Sequence, residues 1–430
     1  MKRRLKMEMK YMFVYTINKT KSFILLLFLI SCSANSEYDL LITNARLFDV
    51  NQGKVQPGVT IAIKNGLIAE VYINQPSHKL KTAKTLDTKG KLVTPGFIDV
   101  HHHYDMLFPG KVTPGGGVEN NLSMHQDSIN AYRKLFTEAY IPFGVTTVRD
   151  AGANEKHFPM WIEWMKPVYW APDFYPCGGA LVSYKEGIKP YSGHVALKDS
   201  IDAVNKIQEY YDKGLRHIKL YWKLEENEFD LAIEKAKELG MNMCGHIDYK
   251  IVSIKHALDK GLRTFEHAFT LGVEILTSEE ISKVYNEKFL PLVKDQNKAR
   301  YFIYITSIFN YIGKDNPGLI KLIDLLKKKN ASVTPTLHVI AQRFGISYFT
   351  SVSVGDFDNT SWYGDPQVNS GLNGYEVLES YVKMMFDKGI HLNLGTDTGD
   401  PGKSVLSEML LLHRAGIPMA DVLKIATLNS

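Results

Sequence analysis

Residues 94–105 read TPGFIDVHHHYD, and this stretch decides how the rest of the chain is read. Pro95 to Asp99 give a turn followed by a short apolar run of the kind that builds a buried parallel strand, after which three imidazoles arrive together. Side chains alternate along a strand, so His101 and His103 share one face while His102 points elsewhere. Two neutral imidazoles so placed can grip one divalent ion from one side. A strand end that merely happens to be rich in histidine is the plain alternative. The Pro-Gly entry weighs against it, because a strand entered in this way and ending in H-x-H is where a parallel α/β barrel carries metal ligands.

The 430 residues, 45% of them hydrophobic, can bury a large core, so one big domain with a small companion is expected. The net charge of +5 is modest and part of it lies in the opening MKRRLKMEMK. No basic face is concentrated elsewhere, which argues against a nucleic-acid partner. KSFILLLFLIS, residues 21–31, is too short an apolar run to span a bilayer but has the length of a signal-peptide core. It runs through Leu29-Ile30-Ser31 into Cys32, which resembles the cleavage box of bacterial lipoproteins. That resemblance implies export, loss of the preceding residues, lipidation of Cys32 and anchoring to the cell envelope, in the periplasm or at the outer membrane. Residues 1–32 are thus expected to be a signal peptide and 33–38 a polar tether. Beyond Cys32 only Cys177 and Cys244 remain, too few for a disulfide framework. Cys244 reads as a small buried filler, and Cys177 has no assigned role.

From Tyr38 to Tyr72 the pattern is alternating and β-rich, with Asn65-Gly66 as a hairpin turn, so residues 39–93 are expected to form a small β domain. From residue 94 onward strand-like segments alternate with helical ones, as in βα units. The strand-like segments are GFIDV (96–100), GVTTVRD (144–150), DFYPCGG (173–179), HIKLY (217–221), MNMCGH (241–246), TFEHA (264–268), SVTPTL (332–337) and HLNLGTD (391–397). Eight such segments predict a (β/α)8 barrel over 94–430. Two connections, 269–316 and 340–375, are too long to be simple and are expected to act as a lid and specificity loops.

Four later strands carry a polar residue that a structural strand does not need: Lys219, His246, His267 and Asp397. An unpaired ammonium inside an apolar strand is costly. It is tolerable beside metal ions if the lysine is carbamylated, becoming an anionic carboxylate able to bridge them.

With these residues in hand, the sequence resembles the amidohydrolase superfamily, in particular its imidazolonepropionase-like, prolidase-like and Xaa-Arg dipeptidase-like members. The resemblance rests on ITNARLFD (42–49), PGFIDVHHH (95–103), GVTTVRDAG (144–152), IKLYW (218–222), CGH (244–246), EHA (266–268), GTDTG (395–399) and ATLN (426–429), all in order. It implies a barrel holding two divalent ions, usually zinc. His101, His103 and Asp397 would hold the more buried ion, His246 and His267 the more exposed one, and carbamylated Lys219 both. It further implies attack by a metal-bridged hydroxide on a carbon-nitrogen amide bond, with Asp397 as proton shuttle and a dipeptide, N-acyl amino acid or cyclic amide as small-molecule substrate. Tyr221 resembles a tyrosine that binds a substrate carboxylate, and His194 a loop histidine near the substrate carbonyl. His338 and Arg149 are further candidates. The family's small domain is usually completed by strands after the barrel, so here it is expected to be incomplete. The same centre would also suit an ester, lactone or phosphotriester hydrolase. A non-catalytic surface-binding lipoprotein is the remaining alternative, and the full ligand set counts against it.

Overall fold

The structure, a computed structural model, describes residues 36–74, 79–112, 118–187, 190, 192–247, 251–290, 300–349, 366–398 and 400–430. The expected signal peptide and Cys32 lie outside the described residues. Among those described, no helix is long and apolar enough to cross a membrane. The chain divides into two compact units, Met1–Pro95 and Gly96–Ser430.

The first unit is a sheet in the order β3-β2-β1-β4, formed by β1 Tyr38–Asp49, β2 Lys54–Lys64, β3 Leu67–Tyr72 and β4 Thr82–Asp87, with β5 Leu92–Val93 paired to β1. Asn65 and Gly66 have φ of 54° and 75°, the left-handed pair that a tight primed hairpin requires, and β2 and β3 accordingly pair antiparallel across them. β1 is antiparallel to β2 but parallel to β4 and β5. The apolar interior is small: Ala45, Val59 and Ile61 form one cluster, and Tyr38, Leu41, Ala62 and Leu80 another.

The second unit opens with β6, Phe97–His102, followed by an antiparallel pair, β7 Lys111–Val112 and β8 Val118–Glu119. Then come β9 Val145–Asp150, β10 Asp173–Pro176, β11 Ala180–Ser183, β12 His194–Leu197, β13 His217–Leu220, β14 Asn242–Gly245, β15 Thr264–Glu266, β16 Ser332–Thr334 and β17 His391–Leu392. Their order is β10-β9-β6 in one sheet and β12-β11-β13-β14-β15-β16-β17 in the other, and every pairing is parallel. The sheets meet where Val100 N–H donates to the Leu394 carbonyl at 2.9 Å and the Thr396 and Asp397 N–H groups donate to the His101 carbonyl at 3.0 and 2.8 Å. At the other junction the Tyr175 ring, from β10, lies 5.7 Å from the His217 ring of β13. With β11 and β12 set aside, the circuit consists of the eight expected strands, and the architecture is that of a (β/α)8 barrel.

Helices cover the strands, and their ends follow the sequence. The helix Pro317–Lys328 starts at Asn316, whose side chain accepts the N–H groups of Gly318 and Leu319, with Pro317 at the first position. A cap of this kind stabilises a helix by about 1 kcal/mol. Its apolar face, Leu319, Ile323 and Leu326, recurs at helical spacing and is buried.

Two elements differ from expectation. The sequence places His194 in a loop, yet the segment forms β12, paired in parallel with the buried β11. The aromatic-rich part of the first long connection was expected to be a lid. Instead it forms the helix Arg300–Ile312, whose Ile305, Ile308 and Phe309 are buried in the main core. The helix Pro366–Asp387 packs against it, and Gly374 approaches the Thr306 carbonyl so closely that no Cβ fits between them. Residues 350–365 of the second connection lie outside the described residues.

Candidate metal centre

The site is assembled where strands give way to loops. His101 lies in β6 and His103 directly follows it, Lys219 lies within β13, and His246 and His267 follow β14 and β15. Asp397 comes from the segment after β17. His267, Thr336 and Asp397 are left-handed, with φ of 65°, 49° and 52°. That backbone costs a non-glycine residue roughly 1–3 kcal/mol and persists only where neighbouring bonds hold it.

The ligand atoms of His101, His103 and Asp397 lie within 4.8 Å of one another. His103 Nε2 is 3.4 Å and His101 Nε2 3.7 Å from Asp397 Oδ1. Two donors on one tetrahedral ion, each about 2.0–2.1 Å from it, stand about 3.3 Å apart, so this spacing fits a shared cation. The His267 ring lies 4.6 Å from that of His101 and 4.6 Å from that of His246. Lys219 is 1% exposed and its Nζ has no hydrogen-bond partner among the described residues. A buried ammonium left unpaired costs several kcal/mol. A buried orphan amine among imidazoles and a carboxylate is a donor set that suits divalent cations.

Charge is concentrated here. Burial would raise the Asp397 carboxyl, but His101, His103 and Lys219 outweigh it and hold the group down at about 2. Burial likewise opposes charge on His103, yet the Asp397 carboxylate prevails and lifts that ring to about 9. Burial, reinforced by Lys219 for His101 and by His101 and His246 for His267, pushes both of these rings well below the ordinary histidine value. They are neutral, the form in which an imidazole binds metal.

Each of three imidazoles has a partner on its Nδ1. Glu266 Oε2 lies 2.7 Å from His101, the Gly152 carbonyl 2.8 Å from His103, and Thr336 Oγ1 2.8 Å from His267. With Nδ1 engaged, Nε2 is the nitrogen left for a ligand, and the ring orientation is fixed. Glu266 is in turn paired with the Arg149 guanidinium, which also donates to the Val100 carbonyl. Sequence reasoning passed over Glu266, although a carboxylate inside the apolar strand TFE is as anomalous as Lys219. It also passed over Asp99, fully buried, which accepts from the Thr396 hydroxyl at 2.7 Å and from the Thr396 and His101 N–H groups.

Tyr221 lies between His194 and His246, its ring 4.5 Å from one and 4.9 Å from the other. Burial, with Lys223, His103 and His246 nearby, holds His194 down to about 3, so its ring is neutral. Two candidates lie apart. His338 is fully buried with Nδ1 2.8 Å from the Ser407 hydroxyl and Nε2 3.1 Å from that of Ser404, so both nitrogens are occupied in helix packing. Arg149 acts through Glu266 rather than facing the centre. Another group among the described residues, Glu226, Asp230 and His256, is also closely spaced. There, however, Lys260 Nζ already sits 2.6 Å from Asp230.

Residues 92–430 match the model of the Amidohydrolase family. The chain belongs to this family. A. niger ochratoxinase is similar in structure, with a TM-score of 0.60 at 16% identity over 92% of this chain and 84% of that one. A Xaa-Pro dipeptidase solved with methionine in its active site gives a TM-score of 0.59 at 15% identity over 90% of this chain and 86% of that one. At such identity the likeness concerns the fold. In sequence, this amidohydrolase is 46% identical over 69 residues to the imidazolonepropionase of Vibrio vulnificus, 15% of this chain and 16% of that protein. It is 40% identical over 70 residues to an adenine deaminase of Lactobacillus delbrueckii subsp. bulgaricus, 16% of this chain and 12% of that protein. The chain thus spans a small fraction of the length of these curated relatives.

Proposed function

We propose that this amidohydrolase is a binuclear metal-dependent hydrolase of carbon-nitrogen amide bonds, acting on a dipeptide, an N-acyl amino acid or a cyclic amide. The observation that carries the reading is Lys219, buried, without a hydrogen-bond partner among the described residues, and near enough to Asp397 and His101 to act on their charge, where His101, His103 and Asp397 converge and His267 packs against them. His101, His103 and Asp397 would hold one ion, His246 and His267 the other, and a carbamylated Lys219 both. Divalent cations bound there, zinc above all, would polarise a carbonyl and acidify water.

The chain's own groups supply the rest. Asp397 is ionised across the neutral range and stands to take a proton from the attacking water. As the water oxygen bonds to the carbonyl carbon and the C–N bond breaks, Asp397 returns that proton to the leaving nitrogen. Carbamylation of Lys219 would replace a cation that depresses Asp397 with an anion, making Asp397 a stronger base. His194, neutral, can donate to the carbonyl oxygen, and Tyr221 beside it can bind a substrate carboxylate. The apolar run leading into Cys32 supports an exported, lipid-anchored enzyme, and incorporation of labelled fatty acid that ceases in Cys32→Ala tests the anchor.

The function is tested by metal analysis together with turnover of dipeptides, N-acyl amino acids and cyclic amides. The expected result is two ions per chain and cleavage of at least one of these classes. Fewer than two ions would sink the binuclear centre, and turnover confined to lactones or phosphotriesters would sink the amidase reading.

A further inference from the structure

Glu408 lies on the helix Pro401–Arg414, beyond Asp397 in the chain, and is fully buried. Its carboxyl group accepts the Leu337 N–H at 2.9 Å and the His338 N–H at 2.6 Å. These are the two backbone donors that follow Thr336, at the turn from β16 into the helix Leu337–Ala341. Thr336 is β-branched, buried and left-handed, with φ 49° and ψ 48°, a backbone such a residue adopts only under constraint. Its hydroxyl is the group 2.8 Å from His267 Nδ1. His267 is held on the same side by its own N–H, which donates to the Thr334 carbonyl at 2.8 Å. A continuous run of short bonds therefore leads from Glu408 through the Thr336 turn to a ring of the candidate metal centre.

We propose that Glu408 is a positioning residue: by clamping the Leu337 and His338 amides it holds Thr336 left-handed, and the Thr336 hydroxyl then fixes the orientation of the His267 ring for metal binding. The inference rests on the reading of this cluster as a metal centre. If the clamp is released, the Thr336 backbone can relax out of the left-handed region. The hydroxyl then leaves His267, and the ring must be ordered at the expense of metal affinity. A glutamine at 408 has nearly the same shape but turns an N–H₂ toward a backbone N–H, so it breaks one arm of the clamp without opening a cavity. A valine at 336 keeps the shape and removes only the hydroxyl.

The test measures Co(II) affinity of the full chain by competition with a chelator, and thermal unfolding of the same metal-free samples, for wild type, Glu408→Gln, Thr336→Val, Thr336→Ser and the double variant Glu408→Gln/Thr336→Val. Loss of a partner behind a ligand lowers affinity by about 10–100-fold, and this is expected for Glu408→Gln and Thr336→Val. Thr336→Ser keeps the hydroxyl and should stay within a few-fold of wild type. Because both residues act through one bond, the double variant should bind about as weakly as Thr336→Val alone, whereas independent effects would multiply. A Glu408→Gln protein that melts earlier but binds Co(II) like wild type would overturn the proposal, as would multiplying effects in the double variant. If wild type itself bound no Co(II), the reading of the centre would fail and this inference with it. Wild-type binding unaffected by the substitutions defeats the positioning role alone.

Discussion

Replacing Glu266 with glutamine removes one charge from a chain of buried groups and leaves the volume unchanged. Glu266 is fully buried, with one oxygen 2.7 Å from His101 Nδ1 and the other on the Arg149 guanidinium. Burial favours its neutral form, but Arg149 and Lys219 overcome this and keep it ionised below the usual carboxylate range. With glutamine in its place, Arg149 keeps a charge that is only 14% exposed and has lost its counter-ion. Breaking a buried pair from one side costs about 3–5 kcal/mol, whereas removing both charges together is close to neutral. Glu266→Gln should therefore lose about 3–5 kcal/mol of unfolding free energy in urea, and Glu266→Gln/Arg149→Met should recover most of it. Metal binding separates the other role, since in the double variant the acceptor behind His101 is a neutral amide oxygen rather than a carboxylate. Its affinity should remain about 10–100-fold below wild type even where stability is restored. If Glu266→Gln unfolded at the wild-type midpoint and bound metal as tightly, the pairing of His101, Glu266 and Arg149 would carry neither stability nor ligand orientation.

Asp397→Asn removes the proton acceptor and keeps a ligating oxygen, so turnover should be lost while metal content, read by elemental analysis, is largely retained; wild-type turnover would refute the shuttle. Lys219→Ala should lose one or both ions, and a short carboxylate such as acetate should restore part of the metal content; for wild type, metal uptake by the metal-free protein should be faster with added bicarbonate. Burial lifts the Glu408 carboxyl to about 8, above the value of about 4.3 expected in the unfolded chain. The folded state then holds a proton that the unfolded chain has released, so this contribution is fully present below about pH 4.3 and is lost as pH rises through about 8, a change of a few kcal/mol. Urea unfolding of metal-free protein as a function of pH should show that decline, and Glu408→Gln should make it shallower, the buried Asp99 and Asp150 carboxyls, both lifted to about 7 by burial, supplying the rest; an equal slope in the variant would assign the pH dependence to those groups alone.

The metal-ligand candidates were legible because each is a local anomaly in the chain. H-x-H at the end of an apolar strand, a lysine inside an apolar run, and the histidines and aspartate that close later strands are conspicuous because buried polar groups are costly and need a reason. The hairpin at Asn65-Gly66 was equally legible, since it depends on two adjacent residues. Tertiary structure alone decided what stands behind the ligands: Glu266 supports His101 across 165 residues, Thr336 supports His267 across 69, and Glu408 reaches the Leu337 amide across 71. It also took His338 out of the site, because the two serine hydroxyls that occupy its nitrogens come from a helix about as far away in sequence, and it turned the expected lid helix into core. Hydrogen-bond partners of this kind carry no periodicity and no fixed spacing. They come together only when the barrel closes, and no local pattern records which side chain a closed ring will place behind another.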